Sequence, residues 1–151
     1  MELMIKSQIK RVWQYFAIVS MAVVLAACSA SANQPYTTID NNELKTLMES
    51  GTVLVDIRRP EEWKQTGIVE GSKTLTFFFA NGRVNPAFIP QIQQQVAKDQ
   101  PIALICRTGN RTRAASEFLA SELGYATVYN VKHGITGWIA EKNPVVAVAA
   151  Q

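Results

Sequence analysis

Cys106 opens a six-residue run, Cys106-Arg107-Thr108-Gly109-Asn110-Arg111, in which a nucleophile, two cations and a glycine crowd together. The thiolate of a cysteine, not its thiol, attacks electrophiles, so the neighbourhood decides whether the residue is reactive. Upstream, residues 102–105 form a short apolar run of the kind that makes a buried strand. Downstream, Ala114, Ala115, Phe118, Leu119 and Leu123 recur at helical spacing, and Gly124 suits the position just past a last helical turn. Cys106 therefore stands where a strand hands the chain to a helix N-terminus. Free backbone N–H groups at such an end carry about half an elementary charge. Arg107, Arg111 and Arg113 add full charges, and surroundings of this kind favour the thiolate. Gly109 lets the backbone curl closely, so that the N–H groups form a concave anion site. The run reads as a nucleophile at the base of an anion cradle.

The spacing selects the anion. Four residues separate Cys106 from Arg111, whereas cysteine-dependent phosphatases and related arsenate reductases use five, a wider cradle for a tetrahedral oxyanion; here that position is Thr112. A six-residue loop that begins with the cysteine and is closed by an arginine resembles instead the active-site loop of the rhodanese family of sulfurtransferases. The resemblance covers most of the chain after about Thr37. Val53-Leu54-Val55-Asp56-Ile57-Arg58 followed by Pro60-Glu61-Glu62-Trp63 is similar to the family's early Asp-x-Arg segment with its downstream Glu and aromatic. Gly67-Ile68-Val69-Glu70-Gly71-Ser72 is similar to the next motif, without the family's usual His after the Gly. The segment from Val128 to Trp138, with Asn143-Pro144-Val145 after it, resembles the closing motif and carries His133 where Gly is usual.

That resemblance implies a sulfurtransferase that moves sulfane sulfur from a donor such as thiosulfate to cyanide or a thiol acceptor through a Cys106 persulfide, with no metal or organic cofactor. It implies that Arg107, Thr108, Gly109, Asn110 and Arg111 bind the substrate anion, through backbone N–H groups of 107–111 and the Arg111 guanidinium. Asp56 and Arg58 are then a supporting pair behind the loop. The alternative from another class is a non-catalytic module that binds or senses sulfane sulfur or an oxyanion in the same cradle. A redox or arsenate-processing cycle needs a second thiol, and the other cysteine of the chain, Cys28, is expected to be acylated. His133, the one histidine, has no Cys, Asp or Glu at ligand spacing and reads as a surface residue. Phe77, Phe78, Phe79 and Trp63 read as core or as pocket walls.

The N-terminus is of another character. Lys6, Lys10 and Arg11 precede a largely apolar stretch over residues 12–27, the pattern of a signal peptide. A spanning helix needs about 20 apolar residues, and Gln14 and Ser20 interrupt this run. Leu25-Ala26-Ala27-Cys28 resembles a bacterial lipoprotein processing box, which implies cleavage before Cys28, a lipid on its sulfur and, with Ser29 following, an outer-membrane site facing the periplasm. The expected organisation is a signal peptide over 1–27, a lipidated cysteine and tether over 28–36, one domain over 37–147 and a tail over 148–151. The chain has 15 Lys and Arg against 12 Asp and Glu, and much of that excess belongs to the leader. The remaining arginines cluster in the loop without a basic and aromatic stripe, so nucleic acid is excluded as a partner.

The elements that must position Cys106 follow from pattern. Asp40 and Glu43 stand three apart, as an N-cap and its reciprocal partner do, before a helix that Gly51 ends. Residues 53–57 are a continuous apolar strand of the type found in parallel sheets covered on both faces. A strand or its exit at 75–79, a helix at 86–96, a strand at 127–129 and a short helix at 135–141 complete the series. The alternation predicts a single α/β domain with a mainly parallel, doubly wound sheet flanked by helices, with ligands bound beyond the carboxyl ends of its strands.

Overall fold

Short β-branched and aliphatic runs pair into one five-stranded sheet in the computed structural model, which describes residues 34–148. The elements in chain order are β1 (Thr37–Ile39), α1 (Asn41–Glu49), β2 (Val53–Asp56), α2 (Pro60–Thr66), β3 (Lys73–Thr74), α3 (Phe88–Gln95), β4 (Ile102–Ile105), α4 (Asn110–Ser121), β5 (Val128–Val131) and α5 (Gly134–Ala140). The strand order is β1-β5-β4-β2-β3, and every pairing is parallel. The expected α/β architecture is therefore present. The leader, Cys28 and the start of the tether lie outside the described residues.

Alternation along the strands builds a core on each face, because successive side chains point to opposite sides. Ile102 and Leu104 join Val55, Ile57, Phe88, Ile92, Ala115 and Leu119 on one side. Ala103 and Ile105 join Leu54, Leu44, Val131, Ile135 and Trp138 on the other. With helices covering both faces, β4 is buried along its whole length, which is why it reads as an unbroken apolar run. Tyr36, the last residue assigned to the tether, packs against the first of these cores.

Local chemistry set several boundaries. Asp40 caps α1, accepting from the backbone of Asn42 and Glu43 while its own N–H donates to Glu43, the reciprocal box read from the sequence. Two short elements, β1 and α2, are additional to the expected series. Pro60 opens α2 with Glu61 and Glu62 in its first turn, a helix start that the spacing analysis passed over although Pro at N1 and early acids are its usual signals. The run 75–79 is the exit of β3 rather than a strand: Leu75 and Phe77 still donate to the carbonyls of Asp56 and Ile57, but the chain then turns back on itself at Phe79 and Arg83. Its run of Leu and Phe reports an extended segment and not the length of pairing.

The register fixes the site. Asp56 lies opposite Ile105, so the next residues, Ile57 and Cys106, leave adjacent strands at one level. The loops after β2 and β4 consequently share the crevice at the carboxyl end of the sheet.

Candidate active site

Cys106 has no exposed surface. Its Sγ accepts the Gly109 N–H at 3.2 Å and lies 3.5 Å from the Thr112 hydroxyl. That hydroxyl donates to the Gly109 carbonyl at 2.9 Å, so a neutral thiol can donate to Thr112 Oγ1, and a thiolate can draw the same hydroxyl proton toward sulfur. The loop keeps this inward shape because its carbonyls are held elsewhere. Cys106 O accepts the N–H of Ile135 at 2.8 Å and Arg107 O accepts that of Thr136 at 3.1 Å, two free donors of the first turn of α5.

Two glycines make the close approach possible. Gly109 adopts φ +88°, and a Cβ there would stand 2.1 Å from Lys132 O; at Gly134, φ +56°, it would stand 2.3 Å from Cys106 O. Any side chain at either position drives the loop off α5.

The Arg111 guanidinium is already engaged. Its Nη1 and Nη2 reach Glu62 Oε2 and Oε1 at 2.8 and 2.6 Å, a fork-to-fork pair between α4 and α2. Burial works to raise the Glu62 pKa, but the hydrogen bond from Arg111, that from the Arg59 backbone and the charges of both arginines outweigh it and hold the carboxyl below its ordinary 4.5. Arg111 is shifted up, chiefly by its hydrogen bond to Glu62 and less by the nearby Cys106. Because the folded pKa of Glu62 is depressed, the stabilisation is fully present above pH 4.5 and disappears as pH falls through the lowered value. Urea unfolding of the protein and of Glu62→Gln across acid pH should show the parent more stable near neutrality and the two curves converging below pH 4.5. Equal stability at every pH would mean that the pair contributes nothing.

Behind this pair stands a second one, buried on both sides. Arg58 Nη2 meets Asp56 Oδ2 at 2.6 Å, with side-chain exposures of 1% and 0%. Arg58 Nε also donates to Asp56, while its remaining donors reach Thr66 Oγ1 and the carbonyls of Glu62 and Gly67. Arg58 thus ties the end of β2 to the last turn of α2, which carries Glu62. Asp56 and Arg58, read from the sequence as a supporting pair, meet here as a buried ion pair.

The remaining loop residues spread outward. Arg107, Thr108 and Asn110 are exposed. Arg113, counted among the cations near the thiol, is exposed and donates to Asn110 Oδ1 at 2.9 Å. Of the N–H groups of 107–111, that of Gly109 is the one hydrogen-bonded to Sγ. A cleft of about 230 Å³ runs beside the loop between α2 and α5, lined by Glu62, Gln65, Arg107, Ile135, Thr136 and Ile139 among others. Phe77 packs edge-on against Phe78 and Phe88 in the core instead of walling this cleft. His133 is an exposed residue preceding α5. Sequence reasoning singled out neither Glu62 nor Thr112 as a site residue. Thr112 follows the closing arginine on the first turn of α4 and was legible as a residue facing back on the loop; Glu62 lay within a quoted motif, but its pairing with Arg111, 49 residues away, had no local signal.

Comparison with known proteins agrees with this geometry. The family model described as "Rhodanese-like domain" matches residues 40–141. The chain belongs to the rhodanese-like family. It is 30% identical over 113 residues to rhodanese-like domain-containing protein 17 of Arabidopsis thaliana, covering 72% of this chain and 71% of that protein. It is 29% identical over 104 residues to the thiosulfate sulfurtransferase GlpE of Tolumonas auensis, covering 68% and 88%. The crystal structure of a rhodanese-related protein from Thermoplasma volcanium superposes with a TM-score of 0.59 at 30% identity, over 75% of this chain and all of that one. The matched span contains the run from Cys106 to Arg111, and the relatives include a thiosulfate sulfurtransferase.

Proposed function

We propose that this rhodanese-like protein is a sulfurtransferase that works through a Cys106 persulfide. The observation that carries the reading is the Gly109 N–H aimed at Cys106 Sγ inside a loop whose first two carbonyls, those of Cys106 and Arg107, are turned out to α5. A donor aligned there is attacked at its outer sulfur by the thiolate: a new S–S bond forms to Cys106, the donor's S–S bond breaks, and sulfite leaves from thiosulfate with the electron pair. The persulfide that remains carries its negative charge on the outer sulfur, one S–S bond beyond the Sγ that accepts the Gly109 N–H. Cyanide or a thiol then takes the outer sulfur and restores the thiolate. Incubation with thiosulfate followed by intact-protein mass spectrometry should show Cys106 heavier by one sulfur atom, and cyanide should remove it. A persulfide that forms yet resists every acceptor would favour instead a sulfur-binding or sensing role, a reading to which the fully buried thiol lends weight.

The setting proposed is the bacterial cell envelope, with the domain tethered by a lipid on Cys28 and facing the periplasm. Cys28→Ser should abolish labelling by radioactive palmitate and leave the precursor uncleaved, while sulfur transfer survives because Cys28 lies outside the matched domain, residues 40–141. A mature protein starting at another residue would sink the proposal.

A further inference from the structure

We propose that Glu62 selects the charge of the sulfur donor: by occupying both arms of Arg111 it biases the site toward singly charged donors and against dianions. This rests on the sulfur-transfer reading for its choice of donors. A free guanidinium at the close of the loop would offer its fork to the oxygens of an incoming oxyanion. Here the fork is closed by two short contacts to one carboxylate, and that carboxylate is itself held in place. Glu62 Oε2 also accepts the Arg59 N–H at 3.1 Å, and the Glu62 carbonyl accepts from Arg58, whose guanidinium is locked on Asp56. Glu62 is therefore a fixed negative charge one guanidinium away from the loop.

The other charges around the thiol leave this effect uncancelled. Asp56 and Arg58 neutralise one another in the interior, and Arg107 and Arg113 are solvent-exposed, where salt and water screen them. What attracts an anion to Cys106 is then mainly the backbone dipole of the loop and the first turn of α4, a weak field. Coulomb energy is linear in the donor's charge. Removing the Glu62 charge must help a dianion by the square of the factor by which it helps a monoanion.

Thiosulfate and methanethiosulfonate make the comparison, since each gives its outer sulfur to Cys106 and releases sulfite or methanesulfinate, and they differ by one negative charge. Glu62→Gln is expected to speed persulfide formation from thiosulfate about tenfold and from methanethiosulfonate about threefold. Glu62→Asp, which keeps the charge, should retain the parent ratio. Alkylation of Cys106 reads the same field without any sulfur chemistry, and Glu62→Gln should raise the rate with iodoacetate relative to neutral iodoacetamide. Equal changes for both donors and an unchanged alkylation ratio would overturn the proposal and leave Glu62 as a mere support for Arg111. A shifted alkylation ratio with no persulfide from either donor would support the charge selection and refute the sulfur-transfer reading.

Discussion

Cys106→Ser is expected to eliminate sulfur transfer while leaving the fold intact. The serine oxygen cannot form the S–S bond that stores the transferred atom, and no neighbouring group replaces it, since Thr112 is the nearest side-chain nucleophile and is itself a hydroxyl. Structural cost is small. The substituted atom still meets the Gly109 N–H and the Thr112 hydroxyl, so the change in stability should be about 1 kcal/mol, the scale of one altered hydrogen bond. Activity with thiosulfate and cyanide, followed alongside thermal unfolding, checks both halves. Transfer at the parent rate by a correctly folded serine variant would remove Cys106 from the chemistry and with it the whole proposed cycle.

The largest loss of stability is expected from Asp56→Ala. Both partners of the Asp56–Arg58 pair are buried, and deletion of the carboxylate strands a guanidinium that cannot lose its proton. Its contacts to Thr66 Oγ1 and to the carbonyls of Glu62 and Gly67 satisfy donors but supply no countercharge. Breaking a buried pair in this way costs about 3–5 kcal/mol, a large part of the roughly 5–15 kcal/mol that stabilises a domain. Thermal and urea unfolding should register a drop of roughly 10–25 °C, and the donor kinetics should suffer as well because α2 loses the anchor that places Glu62. Replacing both residues together by apolar side chains should cost less than the single change. A midpoint within a degree or two of the parent would show that Arg58 finds water or another anion, and that the pair is dispensable.

Much of the scaffold was legible because its causes are local. The Asp40 and Glu43 box, the apolar run of β4, the periodic face of α4 and the cysteine count in the loop each lie within one turn or one strand, where propensity and pattern act directly. The alternation of those elements then leaves few arrangements, and a parallel sheet with its loops opening at the carboxyl ends is the one that buries both faces. The short β1 was not legible: it pairs with β5 across some 92 residues of sequence, and three residues at an edge carry too little pattern to announce a strand.

Charge pairing was the part that only the tertiary structure decided. From its spacing, Arg111 reads as a cation free to hold an anion; in the fold it is bound to Glu62, brought there by α2, which Arg58 pins to Asp56. Likewise Thr112 comes under the sulfur only once Gly109 has turned the chain at φ +88° and α5 has drawn the loop carbonyls outward. The sequence by itself determined that a cysteine would sit at a helix N-terminus on an α/β scaffold, because backbone sterics and hydrophobic periodicity act over neighbouring residues. It did not determine which charges meet there, because electrostatic partners are chosen by distance in space, and that distance is set by packing between segments far apart in the chain.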